Sequence, residues 1–189
     1  MNSNNLNDPT NSIHIANSIN STNSKNKLNW YAIYTRPRFE KKVDMELKRK
    51  GIESYLPIQT VVRQWSDRKK KVDQPLFGGY VFVHTTSNDR IDSLQVDGVV
   101  RMIGFGGKPS IIPDDQIESI KRFLTEGFRF EPIDYLVKGD RVKVTYGPLM
   151  GVEGKLVEKR NERRFVISIE AIRQSIAVEI DPGLLRKIE

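Results

Sequence analysis

The chain has no cysteine and only two histidines, His14 and His84. The first absence removes disulfides, thiolate metal sites and cysteine nucleophiles together, and it suits a reducing cytosol. The second leaves too few parts for a histidine metal cluster or a Ser/His/Asp triad. No apolar run reaches the length of a membrane-spanning helix, and the first residues lack the basic start and apolar core of a secretory signal. The expectation is a cytoplasmic protein with no membrane contact, no catalytic residue, no metal and no cofactor. A length of 189 residues allows one large or two small cores.

Charge is abundant and unevenly placed. The formal net charge is +7, and the segment from Arg36 to Lys71 carries twelve Lys or Arg against five Asp or Glu, so the remainder of the chain is neutral. Within that remainder, residues 72–136 hold six basic and ten acidic side chains, and residues 137–189 hold eleven and eight. A basic segment beside an acidic one makes a polarised surface whose default partner is a polyanion such as nucleic acid. A charged face kept for solubility alone reads the same way.

The organising stretch is QPLFGGYVFVH, residues 74–84. Side chains alternate along a strand, so Tyr80 and Phe82 share one face while Val81 and Val83 share the other. Both faces are apolar, which places the strand inside a sheet that helices cover on at least one side. Phe77, Tyr80 and Phe82 also read as plain core.

Around this stretch the chain divides in order. Residues 1–28 hold nine Asn and five Ser and are expected to be a disordered tail. WYAIY alternates as a first strand; Pro37 then opens a helix with Phe39, Val43 and Leu47 on one stripe. Tyr55 to Trp65 leads into the basic tip WSDRKKK and returns through Val72, a long hairpin. Its tip sets Trp65 among Arg63, Arg68, Lys69 and Lys70, able to stack on bases and neutralise phosphates, and equally able to be a soluble loop. A short helix around Ile91 and Leu94 follows, then a strand from Val99 to Ile103 and a glycine turn at 104–107. Pro113, Asp114 and Asp115 open a last helix bearing Ile117, Ile120 and Leu124. Residues 29–127 thus form an α/β sandwich and 128–136 a linker. Beyond it, residues 137–189 predict five short strands, 141–145, 152–158, 164–169, 176–180 and 184–188, the signature of a small β-barrel. The fold class is α+β.

These segments resemble a known family, the bacterial NusG-type transcription elongation factors. WYAIYTRPRFEKKV is similar to the family's opening strand and helix, PLFGGYVFV to its central aromatic strand, and VVRMIGFGGKPSII to its third-strand segment. VKGDRVKVTYGPLMGVEGKLVE resembles the KOW motif. RQWSDRKK ahead of PLF, with RPR after the first strand, is most similar to the specialised paralogues tied to polysaccharide operons, the UpxY and RfaH kind. The resemblance implies an NGN-type domain, an antiparallel sheet flanked by helices, followed by a five-stranded SH3-like KOW barrel. It implies a monomer that docks on the clamp helices of the RNA polymerase β′ subunit through Phe77, Tyr80 and Phe82, and so favours processive transcription and antitermination. It places Arg36, Arg38 and Lys42 near the exposed non-template DNA strand and the Arg63, Arg68, Lys69 and Lys70 tip across the cleft. The barrel would meet the termination factor Rho or a ribosomal small-subunit protein.

Two other readings remain. A ribosome-associated, RNA-binding KOW protein would use the same basic surface and barrel. An enzyme acting on nucleic acid would need a carboxylate cluster for metal; Asp114 and Asp115, the one adjacent pair, are accounted for by the first turn of a helix.

Overall fold

The structure is a computed structural model that describes residues 27–65, 68–133, 139–159 and 162–188. The tail expected at residues 1–28 therefore lies almost wholly outside the described residues, as do Ser66 and Asp67 of the hairpin tip, residues 134–136 of the expected linker and residues 137 and 138 at the start of the expected barrel.

In the amino-terminal part, β1 (Asn29–Thr35), β2 (Glu53–Tyr55), β5 (Tyr80–Thr85) and β6 (Val99–Met102) form one sheet in the order β2-β5-β1-β6. All of its pairings are antiparallel. β5 is interior, as its two apolar faces require. One face, Tyr31 and Ile33 with Val81 and Val83, is buried against Val43 and Leu47 of α1 (Glu40–Arg49). The other, Trp30 and Ala32 with Phe82, joins Ile117, Ile120 and Phe123 of α3 (Asp114–Thr125). Burying each such side chain contributes about 1.5–3 kcal/mol, so the two helices clamp the sheet from opposite sides. β3 (Ile58–Gln64) and β4 (Lys69–Pro75) make the long hairpin as a separate two-stranded sheet, with Val61 opposite Val72. α2 (Arg90–Leu94) is short, and β7 (Gly104–Phe105) with β8 (Lys108–Pro109) turns the glycine segment into a small hairpin.

Local differences from the sequence reading have simple causes. α1 begins at Glu40 because Pro37 and Arg38 form a turn first, and Arg38 sits at φ 67, which no right-handed helix accepts. On α3 the fully buried aromatic is Phe123, while Leu124 is only partly buried. The stripe 117, 120, 123 continues the i+3 spacing of the helix.

The carboxyl-terminal part is all antiparallel: the five strands expected in residues 137–189 are present, and one further strand joins their sheet. The order is β14 (Leu185–Lys187), β10 (Asp140–Val144), β11 (Glu153–Lys159), β12 (Glu162–Ile169), β13 (Gln174–Glu179) and β9 (Phe130–Ile133). The extra strand β9 falls inside the expected linker 128–136. It holds four residues and contains Pro132, which cannot donate to a ladder and is tolerated because β9 is an edge. A strand that short, with a proline in it, leaves no periodic signal.

One apolar cluster runs through both parts. Phe165 of β12 and Phe130 of β9 belong to the same continuous apolar cluster as Phe82 and Ile120. Phe123 is the link, with ring centroids 5.5 Å from Phe165 and 5.7 Å from Phe130.

Candidate docking face and nucleic-acid surface

β1 and β5 build an aromatic column. Their register sets Tyr34 opposite Tyr80, Ala32 opposite Phe82 and Trp30 opposite His84. Phe77 meets the Phe82 ring edge-on at 5.8 Å, and Tyr55 of β2 stacks on it at 6.5 Å. Tyr34 and Tyr80 lie 5.4 Å apart, and Trp30 stacks on His84 at 4.8 Å. His84 Nδ1 also lies 2.7 Å from a Glu53 carboxylate oxygen. Lys121 of α3 sets its ammonium 5.0 Å from the Trp30 ring and 5.4 Å from Tyr55. Burial, and then the Glu118 carboxylate, push the Tyr55 phenol far above its ordinary value, so it stays protonated.

The turn leading into β5 is tied to α1. Gly79 donates its N–H to Glu40 Oε1 at 2.8 Å and accepts from the Thr35 N–H at 2.8 Å. At φ +81 it carries no side chain, since a Cβ would stand 2.9 Å from the Tyr34 ring.

Of the three expected anchors, Phe77 is 1% exposed and Phe82 0%, while Tyr80 is partly open. The structure does bring them together, under a cover. α3 closes the face from outside, and the carboxyl-terminal sheet backs α3. Arg122 donates to the carbonyl oxygens of Pro148 and Met150, the latter at 3.0 Å. Gln59 at the base of the long hairpin exchanges two bonds with the Phe130 backbone, at 3.0 and 3.1 Å.

The expected nucleic-acid residues fall into two groups. Arg36 and Lys42 converge on Asp97 in the turn before β6, at 3.4 and 2.8 Å. Both cations also lie over the Phe39 ring, at 5.8 and 5.2 Å. A hydrogen bond from Lys42, reinforced by its charge and by Arg36, holds the Asp97 carboxyl below its ordinary value. Arg38 is exposed in the adjoining turn.

The second group lies on the long hairpin. Register places Arg63 opposite Lys70 and Gln64 opposite Lys69. Arg63 donates to the Gln74 amide oxygen at 2.8 Å, and Lys70 covers the half-exposed Trp65 ring at 5.4 Å. Arg68 accepts the Trp65 N–H on its backbone carbonyl at 2.8 Å.

Sequence reasoning missed Asp97, Gln59 and Phe165 as partners. Asp97-Gly98 carries a turn signal, but nothing local reveals a cation 55 residues away in the chain. Among the described residues, no three His, Asp or Glu side chains converge to hold a metal, and no helix is long and apolar enough to cross a membrane. Asp114 and Asp115 stand in the first turn of α3.

Comparison with known proteins agrees with this arrangement. The family described as "Transcription termination factor nusG" matches residues 28–121, the segment that forms the first sheet, α1, α2, the long hairpin and the first two-thirds of α3. The Haemophilus influenzae protein named transcription termination/antitermination protein NusG is 27% identical over 183 residues, covering 86% of this chain and 95% of that one. The Streptococcus pyogenes protein of the same name is 27% identical over 149 residues, covering 71% and 82%. Among solved structures, one described as domain interaction in Thermotoga maritima NusG aligns at a TM-score of 0.51 with 27% identity, covering 86% of this chain and 98% of that one. The sheet order, the aromatic strand and these likenesses agree, and the chain belongs to the NusG family of transcription termination and antitermination proteins.

Proposed function

We propose that the protein is a non-enzymatic elongation and antitermination factor that binds RNA polymerase at the β′ clamp helices. The observation that carries this reading is that the segment matched to the family, residues 28–121, contains every side chain expected to meet polymerase or DNA. Residues 29–127 act as the polymerase-binding domain, residues 128–136 as the connection, and residues 137–189 as the KOW domain, with Rho or a ribosomal small-subunit protein as its partner. Arg36, Arg38 and Lys42 face the non-template strand, while Arg63, Arg68, Lys69 and Lys70 reach across the cleft. The likeness to specialised paralogues makes polysaccharide operons the candidate targets. The site of action is the cytoplasm.

Docking on Phe77, Tyr80 and Phe82 requires the cover to part, because two of the three are closed. The Thermotoga maritima relative is described by its domain interaction, and here the stacking of Phe123 on Phe165 is a contact of that kind. A helical partner with an apolar stripe would replace it on the exposed aromatic column.

The test is binding of the full chain to core RNA polymerase, wild type against Tyr80→Ala. Tyr80 is the accessible anchor, and losing an anchor of about 2 kcal/mol lowers affinity at least tenfold. Absence of binding by the wild type, together with salt-sensitive affinity for structured RNA, would replace this reading with that of a ribosome-associated protein.

A further inference from the structure

Arg36, Lys42 and Asp97 come from the turn after β1, the first turn of α1 and the turn before β6. Backbone contacts fix all three. The Arg36 N–H donates to the Gly98 carbonyl at 2.8 Å, which pins the end of β1 to the turn carrying Asp97. Gly98 sits at φ +96, and a Cβ there would stand 2.5 Å from Phe39, so that turn lies flat against the ring. Phe39 lies beneath both cations. Two cations are thus held over one ring with a carboxylate between them.

The arrangement contributes little to stability, because Arg36, Lys42 and Asp97 are 59%, 51% and 61% exposed. Its geometry is more informative. Arg36 engages one Asp97 oxygen and Lys42 the other. The two non-bridging oxygens of a phosphodiester would present the same pair of acceptors to the same pair of donors.

We propose that the Asp97 carboxylate is an internal stand-in for a nucleic-acid phosphate, occupying Arg36 and Lys42 in the free protein until a phosphodiester displaces it. This rests on the reading of Arg36 and Lys42 as nucleic-acid contacts. A strand offering charge alone must compete with Asp97, whereas a strand that also contacts neighbouring groups displaces it more readily. Asp97 therefore raises selectivity by lowering non-specific affinity.

The test uses the full chain and a labelled single-stranded oligodeoxynucleotide of mixed sequence, titrated by fluorescence anisotropy over a salt series. Asp97→Asn keeps the shape and removes the charge. Affinity should rise about threefold to tenfold at low salt, and the log–log salt slope should steepen by about 0.7. Asp92→Asn on α2 removes the same charge elsewhere and should raise affinity less; an equal rise would mean that net charge alone is at work and would overturn the proposal. The double variant Arg36→Gln, Lys42→Gln should bind more weakly than wild type, and adding Asp97→Asn to it should give no more than the Asp92→Asn gain. If the double variant weakens binding but Asp97→Asn leaves it unchanged or lowers it, Asp97 only positions the cations. If the double variant binds like wild type, or nothing binds, the nucleic-acid reading of this turn fails and the stand-in fails with it. Equal melting temperatures for wild type and Asp97→Asn tie any change to binding.

Discussion

Phe82 and Lys42 belong to the same sheet-and-helix unit and meet opposite surroundings. Phe82 is sealed between Phe77, Tyr55 and Ala32 on a face that α3 covers, while Lys42 stands half in water beside Asp97 and Phe39. The aromatic face is held by area removed from water, and any function it has depends on uncovering it. The cationic surface is open already, and its function depends on which small groups occupy it. A single chain can therefore keep an apolar face out of reach while leaving its charges in water, because hiding aromatics stabilises the fold and hiding charges does not.

Truncation tests this contrast most strongly. Phe82→Ala should destabilise the protein by about 3–5 kcal/mol, since a fully buried aromatic leaves a cavity. Tyr80→Ala, two residues along on the same face and partly open, should cost about 1 kcal/mol. Urea unfolding of the two variants measures the gap. Equal losses would mean that the face is not sealed at Phe82.

The cationic side has one position of comparable rigidity, Gly98. Gly98→Ala forces an unfavourable positive φ and a contact with Phe39, and should cost about 1–3 kcal/mol. A thermal melt reports it. A neutral result would show that the turn carrying Asp97 is free to move, and the arrangement of Arg36 and Lys42 would lose its frame.

The hairpin carries the second group of cations. Among the described residues, Arg63 donates to the Gln74 amide oxygen and Lys70 covers the Trp65 ring. Replacing Arg63, Lys69 and Lys70 by Gln should change stability by no more than about 0.5 kcal/mol. It should reduce the salt slope for single-stranded DNA by about 2 if all three reach phosphates. An unchanged slope would return this tip to the soluble-loop reading.

What the sequence made legible follows the range of each interaction. Alternation in WYAIY and YVFVH gave the two faces of the sheet, because strand period is local. Basic residues near Arg36 and on the hairpin were visible because charge needs no partner to be counted. The backing of α3 by the carboxyl-terminal sheet was not, since it rests on Phe123 meeting Phe165, forty-odd residues along the chain. β9 escaped because four residues with a proline carry no period, and pairing with β13 alone makes them a strand. Asp97 escaped for the same reason: a turn signal tells where the chain bends and not which cations the bend will meet.

The finest test of the contrast is the titration of Asp97 itself. Its carboxyl lies below the ordinary value, first through the hydrogen bond from Lys42, then through the Lys42 charge, and then through Arg36. A carboxyl whose folded value is depressed favours the fold above its unfolded value and loses that contribution as pH falls through the folded one. Asp97 is exposed, so the change in overall stability should be slight, and the side-chain carboxyl resonance is the better probe. In wild type the midpoint should fall below the ordinary aspartate value. Lys42→Gln should move it upward more than Arg36→Gln does, because Lys42 supplies both the hydrogen bond and the nearer charge at 2.8 Å against 3.4 Å. The reverse order would mean that Arg36 is the principal partner. A midpoint untouched by either variant would mean that the carboxylate and the two cations do not meet in solution, leaving Arg36 and Lys42 without their internal counter-charge.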